Sequence, residues 1–160
     1  MSVQTARRTL DRVLSRALIV LMGLLVVDVL WQVFTRFVLA DSSSWTEELA
    51  RYLLIWLSLL GAAYATGARL HLAVDLLPNY LHGIVRRRLE WFIDGVVLLF
   101  ALAVLVGGGS RLVYVTLVLG QDSAALGVPL GIVYLALPLS GLLVATYVVM
   151  HLAAPRAEGY

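Results

Sequence analysis

The chain has 160 residues, 61% of them hydrophobic and 14% charged, with a mean hydropathy of +0.93; soluble domains carry about a quarter charged residues. That length allows one domain, and a net charge of +2 is too small for a nucleic-acid footprint. The absence of cysteine excludes disulfides, thiolate metal sites and cysteine nucleophiles. The composition is that of an integral membrane protein.

A spanning helix needs about 20 mainly apolar residues at about 1.5 Å rise each. Four runs meet that length: about 17–39, 49–68, 91–119 and 128–150. The predicted fold is therefore an all-α membrane protein, one four-helix domain over residues 1–160. The first run follows Arg7 and Arg8 and ends in Val38-Leu39-Ala40, an order that a signal peptide shares. Signal cores are about 7–15 residues, however, and this run is longer and carries Asp28 and Arg36, so the helix is expected to stay.

Arginine counts near the helix ends set the expected orientation. Arg7, Arg8, Arg12 and Arg16 precede the first span, and Arg69, Arg86, Arg87 and Arg88 lie between the second and third. The connections 40–46 and 120–127 contain no arginine. Both termini are predicted in the cytoplasm, with two short loops outside. Between spans two and three, residues of about 71–89 are too interrupted by Asp75, Pro78, Asn79 and His82 to cross a bilayer. An apolar face beside Arg86, Arg87 and Arg88 suits an amphipathic arm helix in the interface plane, its arginines on anionic headgroups. The other reading is a cytosolic connector whose apolar residues other helices cover.

Charged residues inside the spans are functional candidates by default. Ser44-Trp45-Thr46-Glu47-Glu48 opens the second span. Ser44 and Glu47 have capping-box spacing, the acids suit the helix dipole, and Trp45 suits the membrane boundary. A purely structural account thus covers this stretch. The sharper reading joins Arg36, Arg51 and Arg111 to Glu47, Glu48, Asp41 and Asp122 in one ion-pair network at the outer helix ends, unless Arg36 snorkels to the headgroups alone. Asp28 lies about 17 Å into the first helix. It is a protonatable coupling group, a contact to another subunit, or a neutral acid bonded to Gln32. Gly61, Ala62, Ala63, Ala65 and Thr66 give the second helix a small-residue packing face, and Pro138 predicts a kink in the fourth. His71, His82 and His151 have no metal-ligand spacing and no nucleophile motif is present, so no metal, cofactor or enzymatic activity is expected of the chain.

Gln32-Val33-Phe34-Thr35-Arg36, then Trp45-Thr46-Glu47-Glu48-Leu49-Ala50-Arg51, then Trp56 through Gly61-Ala62-Ala63, resemble the small membrane subunit of TRAP (tripartite ATP-independent periplasmic) transporters. Arg69-Leu70-His71-Leu72-Ala73-Val74-Asp75 and Leu126-Gly127-Val128-Pro129 continue the resemblance, which covers roughly 18–149. Asp28 is not part of it. The resemblance implies a bacterial or archaeal inner-membrane scaffold subunit. Its implied partners are a large elevator-type membrane subunit, which would hold the coupling sodium, and a periplasmic solute-binding protein that captures an organic acid such as a C4-dicarboxylate or sialic acid. From another class, a small proton-coupled exporter would use Asp28 as its coupling carboxylate. The identity of the substrate is not written in this chain, because the selective sites would lie on its partners.

Overall fold

A computed structural model of the chain describes residues 3–39, 44–68 and 84–153. Helix α1 (Val3–Val38) and helix α2 (Ser44–Gly67) are the first two spans. The third is continuous but changes pitch: α3 (Ile84–Phe100), a π-helical segment (Ala101–Gly108), then α4 (Gly109–Val118). The fourth is α5 (Leu130–Tyr134) and α6 (Ala136–Ala153). All four spans are long and apolar enough to cross a membrane. The amphipathic arm falls largely on residues outside the described ones. Its expected last part does not belong to a separate helix, because residues 84–89 form the opening turns of α3.

The break in the fourth span has the predicted cause. Pro138 has no N–H, so the carbonyl of Tyr134 loses its intrahelical donor. The helix lapses at Leu135 and resumes at Ala136. Leu135 N still reaches Gly131 O at 3.1 Å and Leu139 N reaches Leu135 O at 3.2 Å, so the ladder continues on either side of the break.

Packing runs from α1 to α2, from α2 to α6, and from α6 to the third span; α1 does not touch the third span among the described residues. In space the spans follow the order one, two, four, three. The core sits where α2 and α6 meet their neighbours, and it gathers Leu14, Leu60, Ala63, Ala101, Val144 and Tyr147. Small residues set the spacing of the α6 contact. A Cβ on Gly141 would lie 2.7 Å from Leu105 Cβ and 3.0 Å from Ala101 O, and one on Gly109 would lie 2.8 Å from Leu137 Cβ. In lipid, where the surroundings are as apolar as the side chains, such close backbone approach supplies the attraction between helices. The π-helical widening spans the residues that face Gly141. The outward faces stay apolar: Ile19, Phe37, Leu99 and Val118 are all exposed.

The expected packing stripe of α2 is realised in part: Ala63 and Thr66 are buried. Ala62 is exposed and Ala65 only half-buried. Gly61 has nothing nearer its missing Cβ than Leu18 Cδ2 at 4.0 Å. The tight contacts belong to Ala63 and Gly67, the latter seated on the Tyr147 ring.

Two alanine substitutions separate these sites. Gly141→Ala should destabilise the fold by about 1–3 kcal/mol through overpacking. Gly61→Ala has room for its methyl and should cost nothing or stabilise slightly. Detergent-denaturation curves followed by circular dichroism check both.

Candidate functional site

The end of the bundle that carries the α1–α2 and α4–α5 connections is organised by one acid. Glu48 lies in the first turns of α2 and reaches across to the 120–129 loop. Its Oε2 accepts from Ser123 Oγ at 2.5 Å, Ala125 N at 2.8 Å and Leu126 N at 3.1 Å. Its Oε1 accepts from Tyr52 OH at 2.9 Å and Ala124 N at 3.2 Å. Three successive backbone N–H groups converging on one anion form a nest, and hydrogen bonds to an ionised acceptor are the strong kind.

The loop's sequence explains why it can do this. Gly120 and Gly127 take positive φ, +59° and +64°, which side chains rarely tolerate. Gly120 ends α4 with its N–H on Leu117 O, followed by Gln121 N on Thr116 O. Asp122 and Pro129 pair as an isolated antiparallel bridge. Within it Ser123 N meets Val128 O at 2.9 Å and Gly127 N meets Ser123 O at 3.1 Å. Ser123 is buried, and its hydroxyl donates to Glu48 while accepting from Leu126 N at 3.1 Å. The turn thus closes around the carboxylate, and α2 and the α4–α5 connection become one rigid surface.

The other expected charges are placed differently. Glu47 is exposed and makes no side-chain hydrogen bond among the described residues, so the engaged acid is Glu48. Arg36, Arg51 and Arg111 are exposed, and none has a carboxylate oxygen within 4.0 Å among the described residues. The predicted ion-pair network is therefore not assembled there; Asp41 lies outside the described residues, and Asp122 points to solvent from the loop. Arg36 rests 5.9 Å from the Phe37 ring centroid. Trp45 is partly exposed beside fully buried Thr46. Asp28 is 6% exposed, and its Oδ2 has no hydrogen-bond partner among the described residues. Gln32 does not bond it among the described residues. Of the basic cluster, Arg88 is exposed, and the side chains of Arg86 and Arg87 lie outside what the structure describes.

Sequence reasoning missed a second polar cluster at the opposite end, where α1 begins and α6 ends. Tyr147 OH, on α6, donates to Asp11 Oδ1 of α1 at 2.6 Å. Arg7 stands 3.9 Å from Asp11 Oδ2 and donates through Nη2 to Gly67 O at 2.6 Å, closing the last turn of α2. A cation there also suits the helix dipole. Arg7 and Asp11 are one turn apart, and that spacing was the one available signal; nothing local pointed to a tyrosine 136 residues away.

Four apolar spans, a hydrogen-bonded loop platform at one end and a three-helix polar clasp at the other define a multi-pass membrane protein. No group of metal-ligating side chains occurs among the described residues. Residues 25–157 match the family "Tripartite ATP-independent periplasmic transporters, DctQ component", and the chain belongs to that family. It is 29% identical over 149 residues to a protein of Haemophilus influenzae carrying the name TRAP transporter small permease protein, 91% of each chain being covered. It is 31% identical over 113 residues to the sialic acid TRAP transporter small permease protein SiaQ of Vibrio cholerae, covering 71% of this chain and 61% of that one. It is also 35% identical over 115 residues to the isethionate TRAP transporter permease protein DctMQ of Oleidesulfovibrio alaskensis; the match covers 71% of this chain and only 18% of that far longer one. The protein is a TRAP transporter small subunit.

Two predictions address the clusters. Glu48→Gln replaces one acceptor oxygen by a donor, so Ala124, Ala125 and Leu126 should lose amide protection in hydrogen exchange, while Glu47→Gln leaves them unchanged. Tyr147→Phe removes one hydrogen bond to a half-exposed carboxylate and should lower stability by about 1 kcal/mol in the same denaturation assay.

Proposed function

We propose that this chain is the stationary scaffold subunit of a sodium-driven importer of organic acids. It packs beside a large elevator-type subunit in the inner membrane, and its loop end helps to receive a periplasmic solute-binding protein. The observation that carries this reading is the Glu48 nest. A moving transport element needs hinges around a substrate site, whereas here the start of α2 is bonded to a loop 75 residues away through both carboxylate oxygens. Support for a large partner comes from the DctMQ permease, most of whose length lies outside the match. Support for organic acids comes from relatives named for sialic acid and isethionate. Coupling to sodium rests on the family resemblance, and the ion would sit on the large subunit.

The arginine asymmetry supports an orientation with the termini in the cytoplasm and the Glu48 loop end in the periplasm. Single cysteines replacing Arg8 and Asp122, both exposed, should divide accordingly: an impermeant thiol reagent on whole cells labels position 122 and spares position 8. The opposite pattern inverts the topology and removes the platform from the binding protein's side.

Asp28 offers little to a stand-alone exporter, which would need its coupling carboxylate in a water-filled cavity. The decisive test is reconstitution. This chain, the large subunit and the binding protein together in liposomes should give sodium-dependent uptake of an organic acid, and the chain alone should give none. In the complete system Glu48→Gln should reduce uptake at limiting binding-protein concentration, with less effect when the binding protein is saturating. Uptake by the isolated chain, abolished by Asp28→Asn, would overturn the scaffold reading.

A further inference from the structure

A groove of about 470 Å³ opens on the membrane face between α1 and α2, lined by Leu18, Ile19 and Met22 from one helix and Leu57 and Gly61 from the other. Its lining offers an occupant apolar side chains and one bare glycine. Its depth follows from the length of α1. Thirty-six residues extend about 54 Å at 1.5 Å each, far more than the roughly 30 Å hydrocarbon core. With Arg36 at one boundary, about 20 residues of core bring the other boundary to Arg16. The groove therefore begins just inside the acyl region of the leaflet nearer the termini.

Below that boundary stand Arg8, Arg12 and Arg16, spaced one turn apart and all exposed. The headgroup layer is about 5–8 Å thick on each side, and Arg12 lies about 6 Å below Arg16, so both fall within it. Helical side chains lean toward the N-terminus, which carries these guanidinium groups away from the hydrocarbon and toward phosphate level. Arg12 is seven residues before Ile19, close to two full turns, and so lies on the same side of α1 as the groove. The adjacent charges divide sharply. Arg7 and Asp11 are turned inward into the Tyr147 clasp, whereas Arg8, Arg12 and Arg16 meet no carboxylate within 4.0 Å among the described residues.

From this juxtaposition we infer that the α1–α2 groove is a binding site for a phospholipid of net negative headgroup, with an acyl chain between Ile19 and Gly61 and the phosphate on Arg12 and Arg16. Apolar contact supplies the hold and the two guanidinium groups supply the headgroup preference. Arg8 lies a turn further out and extends the same field. The inference depends only on the chain's place in a membrane and not on which solute the transporter moves.

The test uses the full chain, purified and delipidated, with bound lipid counted by native mass spectrometry. One phosphatidylglycerol should bind roughly 30-fold more tightly than phosphatidylcholine, as expected for two basic residues beside a headgroup of net negative charge. The double variant Arg12→Gln, Arg16→Gln changes only exposed positions and should bring the two lipids to equal affinity. Gly61→Leu places a side chain in the groove, with Leu18 Cδ2 at 4.0 Å its nearest neighbour, and should abolish binding of both lipids while helix content is retained. Inorganic phosphate should not displace the lipid. Equal affinities in the unaltered chain, displacement by phosphate together with indifference to Gly61→Leu, or loss of the lipid when the large subunit is co-purified would each overturn the assignment, the last by showing that a partner's helix fills the groove.

Discussion

A carboxylate that faces five donors holds two distant parts of the chain in one arrangement. Glu48 belongs to the opening turns of α2, and four of its five donors come from residues 123–126. Each N–H of that loop needs an acceptor, and a single ionised group near the membrane boundary satisfies three of them. The position of the α4–α5 connection relative to α2 follows from this, and with it the shape of the surface that the subunit presents at its loop end. The loop glycines and the doubly bonded Ser123 hydroxyl are the local adaptations that let the backbone close on an anion.

The opposite end uses a different device for the same purpose. Asp11 draws α6 to α1 through Tyr147, and Arg7 draws α1 to the end of α2. Between these two polar ties the helices hold by close apolar packing, narrowest at Gly141 and Gly109 on the third span's side and at Gly67 against Tyr147. Lipid gives no hydrophobic reward for helix association, so polar ties and small-residue contacts must supply it. Polar ties thus hold the central helices to their neighbours at both ends.

The charges left outward carry a different meaning from those turned inward. Arg7 and Asp11 complete the fold, whereas Arg8, Arg12 and Arg16 on the same helix face the surroundings. Arg36, Arg51 and Arg111 likewise reach outward rather than into a shared network among the described residues. A charge exposed within or beside a bilayer needs a headgroup, water or a partner protein. The outward arginines therefore mark where this subunit meets its environment.

Much of the architecture was legible in the residues. Membrane residence, four spans, the break at Pro138 and membership of the TRAP small-subunit family all rest on local properties: hydropathy summed over about 20 neighbours, a missing N–H, and short ordered motifs. Glu48 was among the candidates for the same reason, an acid pair at a helix start. What only the tertiary structure decided is which acid of that pair is engaged. Glu47 and Glu48 differ by one residue and about 100° of helical rotation, and nothing nearby in sequence says where the 123–126 loop will lie. The spatial order of the spans, the burial of Asp28 and the bond from Tyr147 to Asp11 were equally out of reach. They depend on groups dozens of residues apart meeting at one depth, and helical periodicity describes a helix's own faces without saying which neighbour each face will find.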